Sequence, residues 1–302
     1  MRVCRSSYLV FCCHHCYSID EDRTGITFEP IKFAIQHPNT NPTMRVAVVT
    51  GMARTAGIGH AICTTLLDAG LAVIGLDHQP LEPSSTLPNH PQFCSKVTSV
   101  TDPPTQIQKE ISQALSELQQ SQISVVVNNA GIAQPFLQSA TLLERIEEFD
   151  KYIAVNLRSA FVVTEVCRSY FPNKGVSIVH ISSTRALQSP EPSGECPNGQ
   201  AGYATAKAGM IGLMHSQGQE LKGQARVNVV LPGWIDTGDP TSDGYYQPTQ
   251  EDRQWHAVGR VGKPSDVAEL VAFLADDEKS GFITCQELIV DGGVSRKMVY
   301  PE

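Results

Sequence analysis

The 302-residue sequence has no basic excess: 23 Lys and Arg stand against 31 Asp and Glu, a formal net charge of −8. Nucleic acids and anionic membrane surfaces call for a basic face, so neither is an expected partner. No apolar run is long enough to cross a bilayer, and there is no internal repeat or low-complexity tract. Pairing spacing is missing among Cys63, Cys94, Cys167, Cys196 and Cys285, as expected of reduced thiols in a cytoplasmic protein. Four more cysteines crowd residues 4–16. There Cys12-Cys13-His14-His15-Cys16 is followed by no second ligand pair, so no metal site is expected. The apolar run Tyr8 to Cys13, behind Arg2 and Arg5, is short for a signal sequence and has no persuasive cleavage site. Residues 1–43 therefore read as a poorly ordered extension, and Met44, directly before the first strand, as a candidate translation start.

What is present fits an ordinary globular chain, 41% hydrophobic and 18% charged, with one domain expected over residues 44–302. Arg45 to Thr50 is a β-branched run, and Gly51 to Gly59 then opens into a helical pattern from Ala61 to Leu67. Strand, glycine turn and helix are the context of a phosphate-binding loop, in which Gly51, Gly57, Ile58 and Gly59 are the candidate contacts. A second strand, Leu71 to Asp77, ends in an acid that can accept hydrogen bonds from an adenosine ribose. That carboxylate would repel a 2′-phosphate and favours NAD(H). Arg54 pulls the other way, because a guanidinium in the loop could pair with such a phosphate or simply be a solvated charge, so NADP(H) stays open.

Strands and helices keep alternating: Phe93 to Val97, a helix from Pro103 to about Gln120, then Ile123 to Val127. This pattern predicts an α/β fold, a doubly wound parallel Rossmann sheet of about seven strands with helices on both faces. Later units are a helix with Tyr152, Val155, Phe161, Val162 and Val166 that carries Asn156, and the strand Val176 to Ser183. The Tyr203 helix, the strand Arg226 to Leu231, a helix from Pro264 to about Ala275 and the strand Glu287 to Asp291 complete the series. Asn128-Asn129-Ala130-Gly131 follows a strand directly, at the carboxyl edge where ligands bind in such sheets. Tyr203 and Lys207 are four residues apart on one helix face, so both heads can address one point. A free phenol is protonated at neutral pH and makes a poor base unless a nearby cation favours the phenolate. Lys207 is placed to be that cation.

Taken together, Thr50-Gly51, Gly57-Ile58-Gly59, Asn128-Asn129-Ala130-Gly131, Asn156, Ser183, Tyr203-x-x-x-Lys207 and Pro232-Gly233 resemble the short-chain dehydrogenase/reductases. The resemblance runs from Met44 to the end. It implies a single-domain enzyme that interconverts alcohols and carbonyls with a nicotinamide cofactor, as a homo-oligomer, commonly a tetramer. It also implies the roles. Tyr203 is the general acid of reduction and the base of oxidation, Ser183 holds the substrate oxygen, and Lys207 lowers the Tyr203 pKa and binds the nicotinamide ribose. Asn156 anchors a water leading to Lys207. Cofactor contacts come from the segment Asn128, Ala130 and Gly131, which also ties neighbouring strands together, and Pro232, Gly233 and Thr237 line the nicotinamide end.

Three features depart from the family pattern. Five residues separate Gly51 from Gly57, two more than usual. Ser183 precedes Tyr203 by 20 residues, with a Pro/Gly-rich loop over 189–199 between them. Ser99 stands where many members carry an aspartate toward adenine. Substrate choice is expected in 234–256, read as a mobile lid with Tyr245, Tyr246 and Trp255, and His256 reads as structural. The expected substrate is a small or medium neutral alcohol or ketone, a sugar or polyol among them. Competing readings are 3-oxoacyl thioester reduction, a non-catalytic cofactor-binding sensor, and an isomerase or dehydratase that uses the cofactor transiently.

Overall fold

The computed structural model describes residues 44–133, 141–188, 201–240 and 245–297; the extension 1–43 and the loop 189–199 lie outside the described residues. Seven strands form one wholly parallel sheet: β1 (Val46–Thr50), β2 (Ala72–Asp77), β3 (Phe93–Val97), β4 (Val125–Asn128), β5 (Val176–Ile181), β6 (Ala225–Pro232) and β7 (Glu287–Val290). Their order is β3-β2-β1-β4-β5-β6-β7. β1, β2, β4 and β5 are buried at every position, because helices cover both faces and leave no wet side to alternate toward.

Helices α1 (Ile58–Asp68) and α2 (Pro104–Glu117) follow β1 and β3. The next helical stretch is α3 (Leu142–Tyr152), a π-helical turn (Ile153–Arg158) and α4 (Ser159–Arg168). Then come α5 (Ala201–Glu220), α6 (Gln250–Trp255), α7 (Pro264–Ala275) and α8 (Asp277–Ser280). One face of the sheet is closed by α1 and α7 through Ile62, Leu66, Val267, Val271 and Leu274. The other is closed by α2, α4 and α5 through Ile107, Ile111, Val163, Met210 and Met214. Ile107 and Ile111, one turn apart, are fully buried, and each such side chain contributes about 1.5–3 kcal/mol through burial. No described helix is long and apolar enough to cross a membrane. Cys63, Cys94, Cys167 and Cys285 are free thiols.

This topology decides where a ligand can bind. The chain winds outward in both directions from β1 and β4, so the helices leave a crevice at the carboxyl ends of those strands. Gly51, Asp77, Asn129, Ser182 and Pro232 all sit at or just past such ends.

Behind the crevice, a buried polar network ties the sheet to the helices. Asn128 Nδ2 donates to Thr164 Oγ1 at 2.9 Å and to His180 Nδ1 at 3.0 Å, and His180 Nε2 donates to Gln217 Oε1 at 2.9 Å. His180 is therefore the neutral Nε2–H tautomer, and burial pushes its pKa down to about 4. A histidine held neutral in the fold but free to protonate in the unfolded chain gives stability that is complete above about pH 6.5. It is lost as pH falls toward 4, at about 1.4 kcal/mol per unit. Urea denaturation at about pH 7 and about pH 5 is expected to show this loss in the wild type and a smaller one in His180→Asn. Equal losses would remove His180 as the cause.

Candidate active site

The crevice is a cleft of about 790 Å³. One wall is the glycine loop. Gly51 adopts φ +73°, and a Cβ there would lie 2.7 Å from Ala130 Cα, so only glycine fits between the two strand ends. Asn129 clamps the loop, its Nδ2 donating to the carbonyls of Thr50 and Gly51, each at 2.9 Å. Thr50 Oγ1 in turn accepts the N–H groups of Asn129 and Ala130 at 3.0 and 2.9 Å.

The lengthened loop is held from outside. Met52 turns into the core against Gly75, and Ala53 N–H donates to Asp77 Oδ2 at 2.8 Å. Glu82 Oε2 accepts both the N–H and the hydroxyl of Thr55, at 2.7 and 2.6 Å, which holds the Glu82 carboxyl below its ordinary pKa. Arg54 is exposed, and its Nη2 donates to the Thr237 carbonyl at 2.9 Å, joining the loop to the segment after β6.

At the start of α1, the N-cap Gly57 offers no side-chain cap, so the first N–H groups of an eleven-residue helix have no side-chain acceptor. Gly57 and Ile58 line the cleft there. Gly59 does not line it; a Cβ on Gly59 would lie 2.1 Å from Gly51 O, so its role is to let the helix approach the loop. Asp77 lines the far end, nearly buried, beside His78 Nδ1 at 2.9 Å. Ser99 and Val100 line the cleft as well.

The other end gathers the reactive groups. Ser183 caps the 3-10 turn Thr184–Ala186, its Oγ accepting Arg185 N–H at 3.2 Å, and its side chain acts to lower the pKa of the Tyr203 phenol. Tyr203 rests edge-on against Tyr152, with centroids 5.9 Å apart. Lys207 is buried on the same face of α5, with Nζ 5.7 Å from the Tyr203 ring centroid and donating to Ile181 O at 2.8 Å. Burial lowers the Lys207 pKa to about 8. Burial also raises the Tyr203 pKa, opposed by Ser183 and by the charge of Arg185. Lys207 thus directs its ammonium at a backbone carbonyl beside the ring, while Ser183 and Arg185 act to pull the phenol down.

Within the Asn128 segment, the Asn128 side chain belongs to the network behind the cleft and ties β4 to β5 and α4, whereas Ala130 and Gly131 line the cleft as expected, with Asn129 beside them. Asn156, fully buried in the π-helical turn, spends both side-chain polar atoms on Ile132: Oδ1 accepts its N–H at 2.7 Å and Nδ2 donates to its carbonyl at 2.9 Å. The Asn156 side chain therefore fixes the segment beside Gly131 and Lys207. Pro232, Gly233 and Thr237 line the cleft as expected.

In the 234–256 segment, of which 241–244 lie outside the described residues, Tyr245 bonds Asp236 at 2.6 Å and Tyr246 bonds Asp252 at 2.7 Å. His256 is buried away from the cleft, donating through Nδ1 to Asp252 O at 2.8 Å and packing against Trp234 and Trp255. It is structural. Sequence reasoning missed Glu82, Arg185 and Lys151, the last of which lines the cleft at the end of α3.

A parallel sheet with a glycine loop at its switch point, and a Ser-Tyr-Lys group at the same edge, defines a dinucleotide-dependent oxidoreductase of Rossmann type. The family described as enoyl-(acyl carrier protein) reductase matches residues 51–295. An uncharacterized oxidoreductase of Thermotoga maritima is 33% identical over 268 residues, 85% of this chain and 98% of that one. The Escherichia coli 3-oxoacyl-[acyl-carrier-protein] reductase is 34% identical over 263 residues, 83% of this chain and 97% of that one. Among solved structures, the aldohexose dehydrogenase of Thermoplasma acidophilum superposes with a TM-score of 0.68 at 30% identity, covering 86% of this chain and 98% of that one. The chain belongs to the short-chain dehydrogenase/reductase family, whose enzymes use NAD(P)(H).

Proposed function

We propose that this enzyme interconverts a secondary alcohol, sugar and polyol hydroxyls included, and the corresponding carbonyl, with NAD(H) preferred and Tyr203 as general acid and base. The observation that carries the reading is that Ser183, a desolvated Tyr203 phenol and a buried Lys207 line the same cleft as the glycine loop. The residues fit a dinucleotide. Backbone walls at Gly51 and Gly131 admit close approach, and the uncapped start of α1 suits a pyrophosphate. Gly51, Gly57 and Ile58 would hold the phosphates, and Asp77 the adenosine ribose. Ala130, Gly131, Pro232, Gly233 and Thr237 would flank the nicotinamide half, with Tyr203 and Lys207 at its ribose.

When bound, the nicotinamide supplies or accepts the hydride. Ser183 orients the substrate oxygen toward the phenol, within the hydrogen-bond reach that proton transfer requires. Because burial keeps Tyr203 protonated, it is ready to donate in reduction; in oxidation it must first lose its proton. Absorbance of the nicotinamide, followed with a panel of alcohols and carbonyls, tests the reaction. Asp77→Ala is expected to narrow the NADH-over-NADPH preference about tenfold or more, measured as the ratio of kcat/KM. An unchanged ratio would show that another group sets it.

Similarity to the Escherichia coli reductase supports one rival substrate class, 3-oxoacyl thioesters. Turnover of such thioesters, with none of the neutral ketones, would select it. We also infer a homo-oligomer, a dimer or tetramer. Leu142, Leu143, Ile146 and Phe149 on α3 and Phe161 on α4 are exposed, an apolar stretch that a second copy can cover. Light scattering that gave a monomer would contradict this.

A further inference from the structure

The cations among the described lining residues of the cleft are Arg54, Lys151 and Lys207. Lys151 belongs to α3 and Lys207 to α5, so Arg54 is the one carried by the glycine loop, beside Gly57 and Ile58 at the start of α1. Its backbone is fixed from both sides. Asp77 holds Ala53 N–H at 2.8 Å, Glu82 holds Thr55 N–H at 2.7 Å, and the Arg54 carbonyl accepts Gly57 N–H at 2.9 Å. Bracing of this kind sets in advance where the side chain can reach.

That side chain is exposed and reaches Thr237 O, 2.9 Å from Nη2, so it joins two segments that both line the cleft. Among the described residues this is the guanidinium's one hydrogen bond, and no ion pair includes it. Both neighbouring carboxylates are engaged elsewhere, Glu82 by Thr55 and Asp77 by Ala53 N–H, Gln79 N–H and His78. A guanidinium carries five N–H donors in a fixed fork, and one carbonyl uses only one of them.

The direction of the side chain distinguishes two phosphates. A 2′-phosphate would sit on the adenosine ribose at Asp77, to which the Arg54 guanidinium makes no bond. The pyrophosphate joins the two halves of a dinucleotide. A cofactor reaching from Asp77 to Pro232 and Gly233 therefore carries it past the start of α1, whose first N–H groups have no side-chain acceptor, and past the Arg54–Thr237 bond.

We propose that Arg54 is a cofactor-binding residue that pairs with the pyrophosphate of either dinucleotide, keeps its bond to Thr237, and takes no part in choosing between NADH and NADPH. This rests on the dinucleotide reading of the cleft and deepens it. The lengthened loop thereby gains a use: it brings a cation to the phosphates and ties both walls to one anion.

The test is the Kd of NADH and of NADPH, read from nicotinamide fluorescence with the full chain at low and high NaCl; no turnover is needed. Arg54→Gln is expected to weaken both cofactors by the same factor, about 10- to 100-fold, the loss of one charge-assisted contact. The salt dependence of Kd should also flatten in Arg54→Gln, because a screened charge has been removed; a merely rearranged loop would not produce that change. Arg54→Lys should keep the salt dependence and part of the affinity. Wild-type affinity for both cofactors in Arg54→Gln overturns the proposal. A loss confined to NADPH does so too, since it would put the guanidinium on the 2′-phosphate, as does a loss with the salt dependence intact, which would make Arg54 a brace for the loop. Should Arg54→Gln fail to fold, a loss in Arg54→Lys that is equal for the two cofactors supports the proposal, and no loss, or one confined to NADPH, overturns it. A wild type that binds neither cofactor overturns the dinucleotide reading itself.

Discussion

Tyr203→Phe is expected to lower kcat by roughly 10²- to 10⁴-fold, the range that a positioned acid or base contributes, while NADH affinity changes little. The phenyl ring can keep its edge contact with Tyr152, and only the hydroxyl is lost. The interaction removed therefore belongs to the proton transfer and not to the fold, so kcat and kcat/KM should fall together. Steady-state kinetics beside an NADH fluorescence titration separate the two effects. Retained turnover would show that the proton travels by another group, and a parallel loss of NADH binding would mean that the phenol holds the cofactor.

Gly59→Ala is expected to weaken NADH binding by at least about 100-fold, or some 2.7 kcal/mol. The added Cβ would stand 2.1 Å from Gly51 O and 2.6 Å from Asn129 Nδ2, so α1 must move away from the loop it packs on. Gly51 cannot yield, because at φ +73° it packs so closely that even a Cβ built on it would stand 2.7 Å from Ala130 Cα. Such overpacking costs about 1–3 kcal/mol or more, and here it falls on the backbone groups that face the phosphates. Gly212→Ala is the control: nothing lies within 4 Å of that Cβ, and it should stabilise α5 by up to about 1 kcal/mol. An NADH titration that gave wild-type affinity for Gly59→Ala would mean that the loop does not bind the pyrophosphate.

Much of this architecture is legible in the residues. The helix Pro264–Ala275 and the strand Phe93–Val97 run as the pattern predicts, because a proline marks the start of one and the β-branched and aromatic residues of the other sit beside turn signals. Tyr203, Lys207 and Ser183 come together because helix spacing and strand order place them so. Asn128 was misplaced by one residue of strand. β4 runs through Asn128 rather than stopping at Val127, and the alternation of a pleated strand turns that side chain toward Thr164 and His180. Nothing local signals the π-helical turn around Asn156, nor the bonds by which the Asn156 side chain holds Ile132. Glu82 and Arg185 were invisible for a related reason. Their importance lies in Thr55 and Tyr203, partners remote in sequence, and no spacing rule links them.

The central claim is net hydride transfer between a nicotinamide cofactor and a carbonyl at Tyr203. Counting NADH oxidised against alcohol formed, in one reaction with the purified full chain, tests it most directly. One NADH consumed per alcohol, with both rates collapsing together in Tyr203→Phe, is the predicted result. Product formed with no net change in nicotinamide absorbance would contradict it and assign the chain to isomerisation or dehydration instead.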